Sequence, residues 1–462
     1  MVFRQFYDPD LAQGSYLIGC EQSGEAVIVD PRRDIAEYLE EAKKQKLNIT
    51  AVTETHIHAD YLSGARELAE ATGARLLLSA EGGPDWLYGF PHESLKGGDT
   101  IRIGQVELTA LHTPGHTPEH LSFLVQDHAT AKEPGFLLTG DFVFVGDVGR
   151  PDLLDEAAGY QDSRFEGARQ LFASLRDRLL VLPDFIQVWP GHGAGSACGK
   201  ALGSVASTTV GYERRFAWWA GYVADGDEES FISELLSGQP DAPHYFGRMK
   251  RHNRAGPELL GELPVLPELS SADLADGGYR LVDTRAASAF NQGTGAGGIQ
   301  IPAGGKFVTY ASYVIDPETQ AAPLVLLAAD AEHATRLRDG LLRIGVDDVA
   351  GYLTSLADLP TAEAPLLTPG QLDDLPGTHL LDVRSHSEHE AGYIPGARQL
   401  HAGRVMSALE SLPRDSTIAV YCQSGARATL ISSALREQGF DAREVDGNYP
   451  GWSAWQRSRQ PA

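Results

Sequence analysis

The feature that most constrains this chain is the placement of its prolines. Two leucine-rich connectors, Gly261-Glu-Leu-Pro-Val-Leu-Pro-Glu268 and Leu359-Pro-Thr-Ala-Glu-Ala-Pro-Leu-Leu-Thr-Pro-Gly370, would break any helix or central strand running through them. They divide the chain into segments 1–258, 265–358 and 366–462, as expected when 462 residues exceed what one hydrophobic core can serve. The last two segments repeat each other: Leu281-Val-Asp-Thr-Arg285 mirrors Leu381-Asp-Val-Arg384, and Leu324-Val-Leu-Leu327 mirrors Thr417-Ile-Ala-Val-Tyr421. Each reads as strand, helix, strand, helix. The first segment alternates short β-branched runs with amphipathic stretches such as Asp34 to Lys46 and Phe165 to Leu180. That periodicity fits either a doubly wound sheet or two sheets covered by helices.

Charge narrows the partners. With 38 Lys and Arg against 63 Asp and Glu, the net charge of −25 repels phosphate backbones and anionic membrane surfaces, so no nucleic acid or membrane partner is expected. The start of the chain lacks an apolar leader core, and no stretch reaches the roughly 18 apolar residues needed to span a bilayer. Three cysteines, Cys20, Cys198 and Cys422, have no paired spacing, which speaks against a disulfide framework and for a cytoplasmic location.

Four histidine or carboxylate clusters stand at strand-to-loop junctions of the first segment: His56-Ile-His58-Ala-Asp60, Pro114-Gly-His116, Gly140-Asp141 and Gly191-His192. A lone histidine there is ordinarily a polar loop residue. Four clusters of imidazole and carboxylate without thiolate point to one metal centre. His112 is expected to be a strand residue, and Cys20 and Cys198 small buried or loop residues.

The order His-x-His-x-Asp, Gly-His, Gly-Asp, Gly-His resembles that of the metallo-β-lactamase superfamily, which implies an αββα sandwich. Two-metal hydrolases of that superfamily have a further histidine where this chain has Tyr61. The segment is more similar to the persulfide dioxygenase branch. That resemblance implies one Fe(II) per chain held by His56, His116 and Asp141, and the glycine-arginine element is present as Gly149-Arg150-Pro151-Asp152. Three protein ligands leave three positions on iron for dioxygen and a persulfide sulfur, whereas a four-ligand zinc hydrolase needs one open site and an acidified water. His58, Asp60 and His192 either complete a hydrolase site or stand behind the ligands with Arg150 and Asp152, orienting them. The second placement is favoured.

In the last segment, Cys422-Gln423-Ser424-Gly425-Ala426-Arg427 follows an apolar strand and opens a helical run. Such a loop turns backbone N–H groups and the positive helix end toward the sulfur, favouring anionic adducts, with Gly425 allowing the curvature and Arg427 closing the ring. With Leu381-Asp382-Val-Arg384 and Tyr393-Ile-Pro-Gly-Ala397, it resembles the rhodanese family of sulfurtransferases. The resemblance assigns Cys422 as the persulfide carrier and Gln423 to Arg427 as its anion-binding loop. Tyr393 replaces the usual histidine. In the middle segment Ala328, Ala331 and His333 take the places of Cys422, Gly425 and Arg427, so no nucleophile is present and the unit reads as a degenerate rhodanese serving as spacer or packing surface. A basic stretch, Arg248-Met-Lys-Arg-His-Asn-Arg254, is most simply a solvated face; greeting an anionic thiol carrier is the lesser reading.

The expected architecture is therefore an αββα sandwich followed by two rhodanese-like α/β domains, in a mixed α/β and α+β multidomain chain. The resemblances imply oxidation of glutathione or coenzyme A persulfide by O2 to sulfite, then transfer of sulfane sulfur through Cys422 to sulfite, giving thiosulfate, in sulfide detoxification. A zinc thioester hydrolase of the glyoxalase II kind and a non-enzymatic sulfur carrier or redox sensor are the alternatives. Homo-oligomerisation is left open.

Overall fold

The computed structural model describes residues 1–153, 163–274, 277–295, 297–357, 359–375 and 377–459; of the segment limits drawn from sequence, residues 358 and 460–462 lie outside these. The chain forms two compact units, Met1–Ala242 with Phe246–Leu263, and Pro243–Tyr245 with Pro264–Ala462, so both repeats share the second unit.

The first unit contains two six-stranded sheets. One runs, in spatial order, through Val2–Asp8, Gln13–Cys20, Glu25–Val29, Asn48–Thr53, Arg75–Ser79 and Glu93–Leu95. The other runs through Thr208–Thr209, Gln187–Pro190, Phe136–Gly140, Leu121–Asp127, Val106–His112 and Thr100–Ile103. Period-two alternation explains the layering. Tyr16, Ile18, Val27 and Val29 join Val106, Leu108, Leu121, Phe123 and Leu138 in a core shared by both sheets. The intervening Leu17, Ala26 and Ile28 point the other way, into a cluster with Tyr38 and Ala42 of helix Ala36–Lys44 and Leu68 of helix Ala65–Thr72. Leu137 and Val188 likewise meet Leu171 and Phe172 of helix Ser163–Ser174 and Phe231 and Leu235 of helix Glu228–Leu236. Helices thus cover the outer faces of both sheets, which decides for the sandwich over a doubly wound sheet. Each large aliphatic side chain removed from water contributes about 1.5–3 kcal/mol. The strand ends are therefore firmly held, and the candidate metal-binding loops leave from them.

The second unit carries the repeats as two parallel sheets. One orders Ile299–Gln300, Arg280–Asp283, Leu324–Leu327 and Val349–Leu353; the other orders Leu366–Leu367, Ala442–Val445, Ile418–Tyr421, His379–Asp382 and Arg398–Gln399. Their central strands are apolar and buried throughout, as parallel strands covered on both faces must be. Polar bonds join the repeats: the Gln300 N–H donates to Ser433 Oγ at 3.0 Å, and Arg280 Nε to Glu437 Oε1 at 2.7 Å.

Candidate functional site

Four loops deliver the histidines and carboxylates of the first unit. His56 and His58 follow strand Asn48–Thr53, His116 follows Val106–His112, Asp141 follows Phe136–Gly140, and His192 follows Gln187–Pro190. His56, His116 and Asp141 meet, all buried, with one ligand atom of each within 4.8 Å of the others. Asp141 Oδ2 lies 3.9 Å from His56 Nε2 and 3.6 Å from His116 Nε2, too far for hydrogen bonds.

The proton inventory shows why a cation fits there. Thr55 Oγ1 spends its hydrogen on Asp30 Oδ2 (2.9 Å), so His56 Nδ1, 3.0 Å away, must donate to it, leaving Nε2 bare. His116 Nδ1 donates to the Arg150 carbonyl at 2.9 Å and likewise leaves Nε2 bare. Asp141 Oδ2 is buried and makes no hydrogen bond among the described residues. Two imidazole lone pairs and an orphaned carboxylate oxygen facing one another are a donor set that could hold a metal ion. Burial, reinforced by His58, His116 and His120, pushes His56 well below the usual histidine range, and burial lowers His116 to about 4, so both are neutral at pH 7, as ligation requires. Burial alone would raise Asp141, but His192 beside it holds the carboxyl below its usual range.

The remaining candidates take other places. His58 Nε2 lies 3.1 Å from Asp30 Oδ1; burial disfavours its charge, yet Asp30 lifts it to about 9. Tyr61 is fully buried, its hydroxyl donating to the Asp30 carbonyl at 3.2 Å. His192 bridges two carboxylates, with Nδ1 at 2.7 Å from Asp141 Oδ1 and Nε2 at 2.8 Å from Asp60 Oδ2. Both ring nitrogens therefore carry hydrogen. A second group, Asp60, His192 and Cys198, also has ligand atoms within 4.8 Å, but His192 has no lone pair to offer in this arrangement. Arg150 contributes its carbonyl to His116 while Asp152 clamps its guanidinium, with Nε at 2.8 Å from Oδ1. A Cβ on Gly149 would lie 1.8 Å from the Asp141 carbonyl oxygen and 3.1 Å from His116 Cβ, so only glycine lets these two ligand loops touch. His112 ends its strand, with Nε2 on the Pro118 carbonyl at 2.8 Å. Cys20 and Cys198 are buried.

In the second unit Cys422 is fully buried at the end of strand Ile418–Tyr421. The Gly425 N–H donates to its Sγ at 3.1 Å, a turn that needs the positive φ of 97° at Gly425. Helix Ala426–Glu437 starts immediately and directs its N-terminus to the loop. Gln423 and Ser424 are exposed. Arg427 closes the loop and is itself paired: its two terminal nitrogens fork onto Glu388 Oε1 and Oε2, each at 2.7 Å. Burial opposes ionisation of Glu388, but Arg427 and the Ser385 N–H hold it at about 2. Tyr393 stacks on His389 at 4.2 Å, and His389 in turn meets Asp382.

These features match known proteins. The Metallo-beta-lactamase superfamily profile covers residues 9–192, and the Rhodanese-like domain profile residues 368–455. The crystal structure of a metallo-beta-lactamase from Staphylococcus aureus subsp. aureus COL is 39% identical, covers 77% of this chain and 99% of its own, and superposes with a TM-score of 0.67. The chain belongs to the metallo-beta-lactamase superfamily. This family member also carries a C-terminal rhodanese-like domain. Persulfide dioxygenase ETHE1 of Bos taurus is 28% identical over 196 residues, 42% of this chain and 68% of that protein. A hydroxyacylglutathione hydrolase of Polaromonas sp. (strain JS666) is 33% identical over 179 residues, 38% of this chain and 61% of that one. Among the described residues no helix is long and apolar enough to cross a membrane.

Several residues of this metallo-beta-lactamase site escaped the sequence reading. Asp30 accepts from the Thr55 N–H at 2.7 Å besides holding His58; its only signal was a carboxylate at a strand end. His120 stacks on His56 and receives the Asp141 N–H at 3.2 Å. Asn253 Nδ2 donates to the His58 and Tyr61 carbonyls at 2.9 and 2.7 Å, fastening helix Phe246–Ala255 to the first ligand loop. That helix corrects the solvated-face expectation: Arg248, Met249, Lys250 and Asn253 are buried. Glu388 had a legible cue, since Ser385-x-x-Glu388 forms a capping box.

Proposed function

We propose that the protein oxidises a low-molecular-weight thiol persulfide with O2 to sulfite and thiol at a single Fe(II), and that its rhodanese-like domain transfers sulfane sulfur through Cys422 to sulfite, giving thiosulfate. The first reaction balances as RSSH + O2 + H2O → RSH + SO3²⁻ + 2 H⁺. In the second, the Cys422 thiolate takes the outer sulfur of a persulfide, releasing the thiolate, and the Cys422 persulfide anion passes that sulfur to sulfite, regenerating the thiolate.

The observation that carries the reading is the donor set: two bare Nε2 atoms and the orphaned Asp141 Oδ2, with His58 turned to Asp30 and Tyr61 in place of a further histidine. His56, His116 and Asp141 would hold Fe(II), which would supply open coordination positions for dioxygen and a sulfur ligand. The chain's own residues set the stage. Asp60 and His192 keep Asp141 Oδ1 occupied so that Oδ2 faces the imidazoles. The Arg150 carbonyl and Thr55 fix the tautomers. The likeness to persulfide dioxygenase ETHE1 and the rhodanese-like domain both support a persulfide substrate.

A zinc thioester hydrolase is the second reading, favoured by the likeness to hydroxyacylglutathione hydrolase and by the Asp60, His192 and Cys198 group. His192 turns both ring nitrogens to carboxylates, Asp141 and Asp60. Anaerobic purification, elemental analysis and an oxygen electrode decide between them. One iron per chain, oxygen uptake with glutathione or coenzyme A persulfide, and loss of both on His116→Ala are expected. Two zinc ions with cleavage of a glutathione thioester would overturn the proposal. Persistence of air-dependent sulfite production in Cys422→Ser excludes a mere sulfur carrier.

A further inference from the structure

Helix Phe246–Ala255, which Asn253 ties to the His58 and Tyr61 carbonyls of the first candidate ligand loop, buries a cation about one turn from that anchor, at Lys250. Lys250 is 7% exposed, and its Nζ makes no hydrogen bond among the described residues. Its Nζ lies over the face of Trp86, 5.0 Å from the ring centroid. The ammonium lies within electrostatic reach of Glu119, Cys198 and Asp141, and it acts on His56 and His116. Glu119 does not pair with it: Oε1 accepts the Ile57 N–H at 2.8 Å and Oε2 has no hydrogen-bond partner among the described residues.

An ammonium without a paired anion is expensive to bury, and a face over tryptophan offsets only part of that cost. Methionine has similar length and would pack there without penalty. A buried ammonium that makes no hydrogen bond among the described residues keeps its donors free for a ligand. In a chain of net charge −25 an anion approaching the centre meets general repulsion, so a local cation matters more than it would elsewhere.

We propose that Lys250 is an anion-binding residue of the metal centre, taking the negatively charged sulfur end of the substrate and the oxygens of sulfite. This rests on the persulfide reading above and specifies how the chain holds that substrate. The depth of Lys250, beside the metal-binding residues, favours the reacting end of the molecule over the carboxylates of its carrier, which lie several bonds from the sulfane sulfur.

The test is calorimetric titration of sulfite into the full-length Cys422→Ser protein, metal-loaded and chelator-treated, so that every variant shares an identical rhodanese loop. Lys250→Met is expected to weaken sulfite binding about tenfold or more, the size of a lost charge-assisted hydrogen bond, in both preparations. Lys250→Arg should restore most of it, and S-methylglutathione, which lacks the sulfane anion, should bind equally to all three. The melting temperature of Lys250→Met should equal or exceed that of the parent, which separates lost recognition from lost folding. Unchanged sulfite affinity in Lys250→Met, or a loss confined to S-methylglutathione, overturns the proposal. Lys250-dependent sulfite binding by a protein showing no oxygen uptake would leave this anion site standing while the dioxygenase reading falls.

Discussion

The two repeats of the second unit share a polar scaffold and differ in their loops. In one, Arg285 Nε meets Asp283 Oδ1 at 2.9 Å, its Nη2 reaches the Gly293 carbonyl at 2.7 Å, and Gln300 Nε2 donates to its carbonyl at 3.0 Å. In the other, Arg384 repeats these bonds with Asp382 at 2.9 Å, Gly392 at 2.7 Å and Gln399 at 2.9 Å. The loops then part. Gly425 turns its N–H onto Cys422 Sγ, whereas Asp330 caps helix Ala331–Leu342 by accepting the His333 N–H at 2.7 Å and so consumes a donor that an anion would need. The Asp-Arg-Gln network is common to both repeats and so belongs to the fold, and what differs is the few residues after the central strand.

The largest effect expected from breaking this contrast is at the nucleophile. Cys422→Ser should lower thiosulfate formation from a persulfide and sulfite by on the order of 10³-fold or more, with sulfite production under air retained; a rate assay for thiosulfate checks it.

Next comes the scaffold. Asp382 and Arg384 are both buried, so Asp382→Asn strands a buried guanidinium and should cost about 3 kcal/mol in urea unfolding of the full chain. Asp283→Asn leaves Arg285, whose side chain is 36% exposed, to be solvated, and should cost about 1 kcal/mol. Equal losses would mean that the networks are not distinguished by exposure.

A smaller effect is expected at Glu388. Because its folded carboxyl titrates at about 2, below the ordinary 4.5, the Arg427–Glu388 pair contributes fully above about 4.5, and the contribution is lost as pH falls through about 2. The group is partly exposed, so the contribution is under about 1 kcal/mol. Urea midpoints of wild type and Glu388→Gln should differ at pH 6 and converge toward pH 2. The smallest effect is none: Ala328→Cys should create no sulfurtransferase activity in a Cys422→Ser background, since His333 and Asp330 supply neither the fork nor the free amides. Measurable thiosulfate from that variant would show that the strand end alone suffices.

The candidate residues differ in how far they could be read without coordinates. The four metal clusters and the Cys422 loop are short motifs at strand ends, where backbone direction is set locally, and so they stood out. Asp30 and His120 act across loops distant in the chain, and Glu388, though its capping box with Ser385 is legible, meets Arg427 from a distant loop that nothing near it in sequence declares. Arg427 was visible, yet its commitment to Glu388 was not. The basic helix misled for a related reason: local charge density suggests solvent, whereas Asn253 ties that helix across the first ligand loop and turns Lys250 inward.

Sequence by itself determined the partition by proline connectors, the repeat, the alternating strands, the metal-type clusters and the presence of one loop nucleophile, because each depends on spacing along the backbone. Tertiary structure alone decided which donors converge, which histidine donates both of its N–H groups to carboxylates, and which buried cation makes no hydrogen bond among the described residues. Those outcomes depend on close packing between elements far apart in the chain, where distances of a few ångströms determine proton placement and charge.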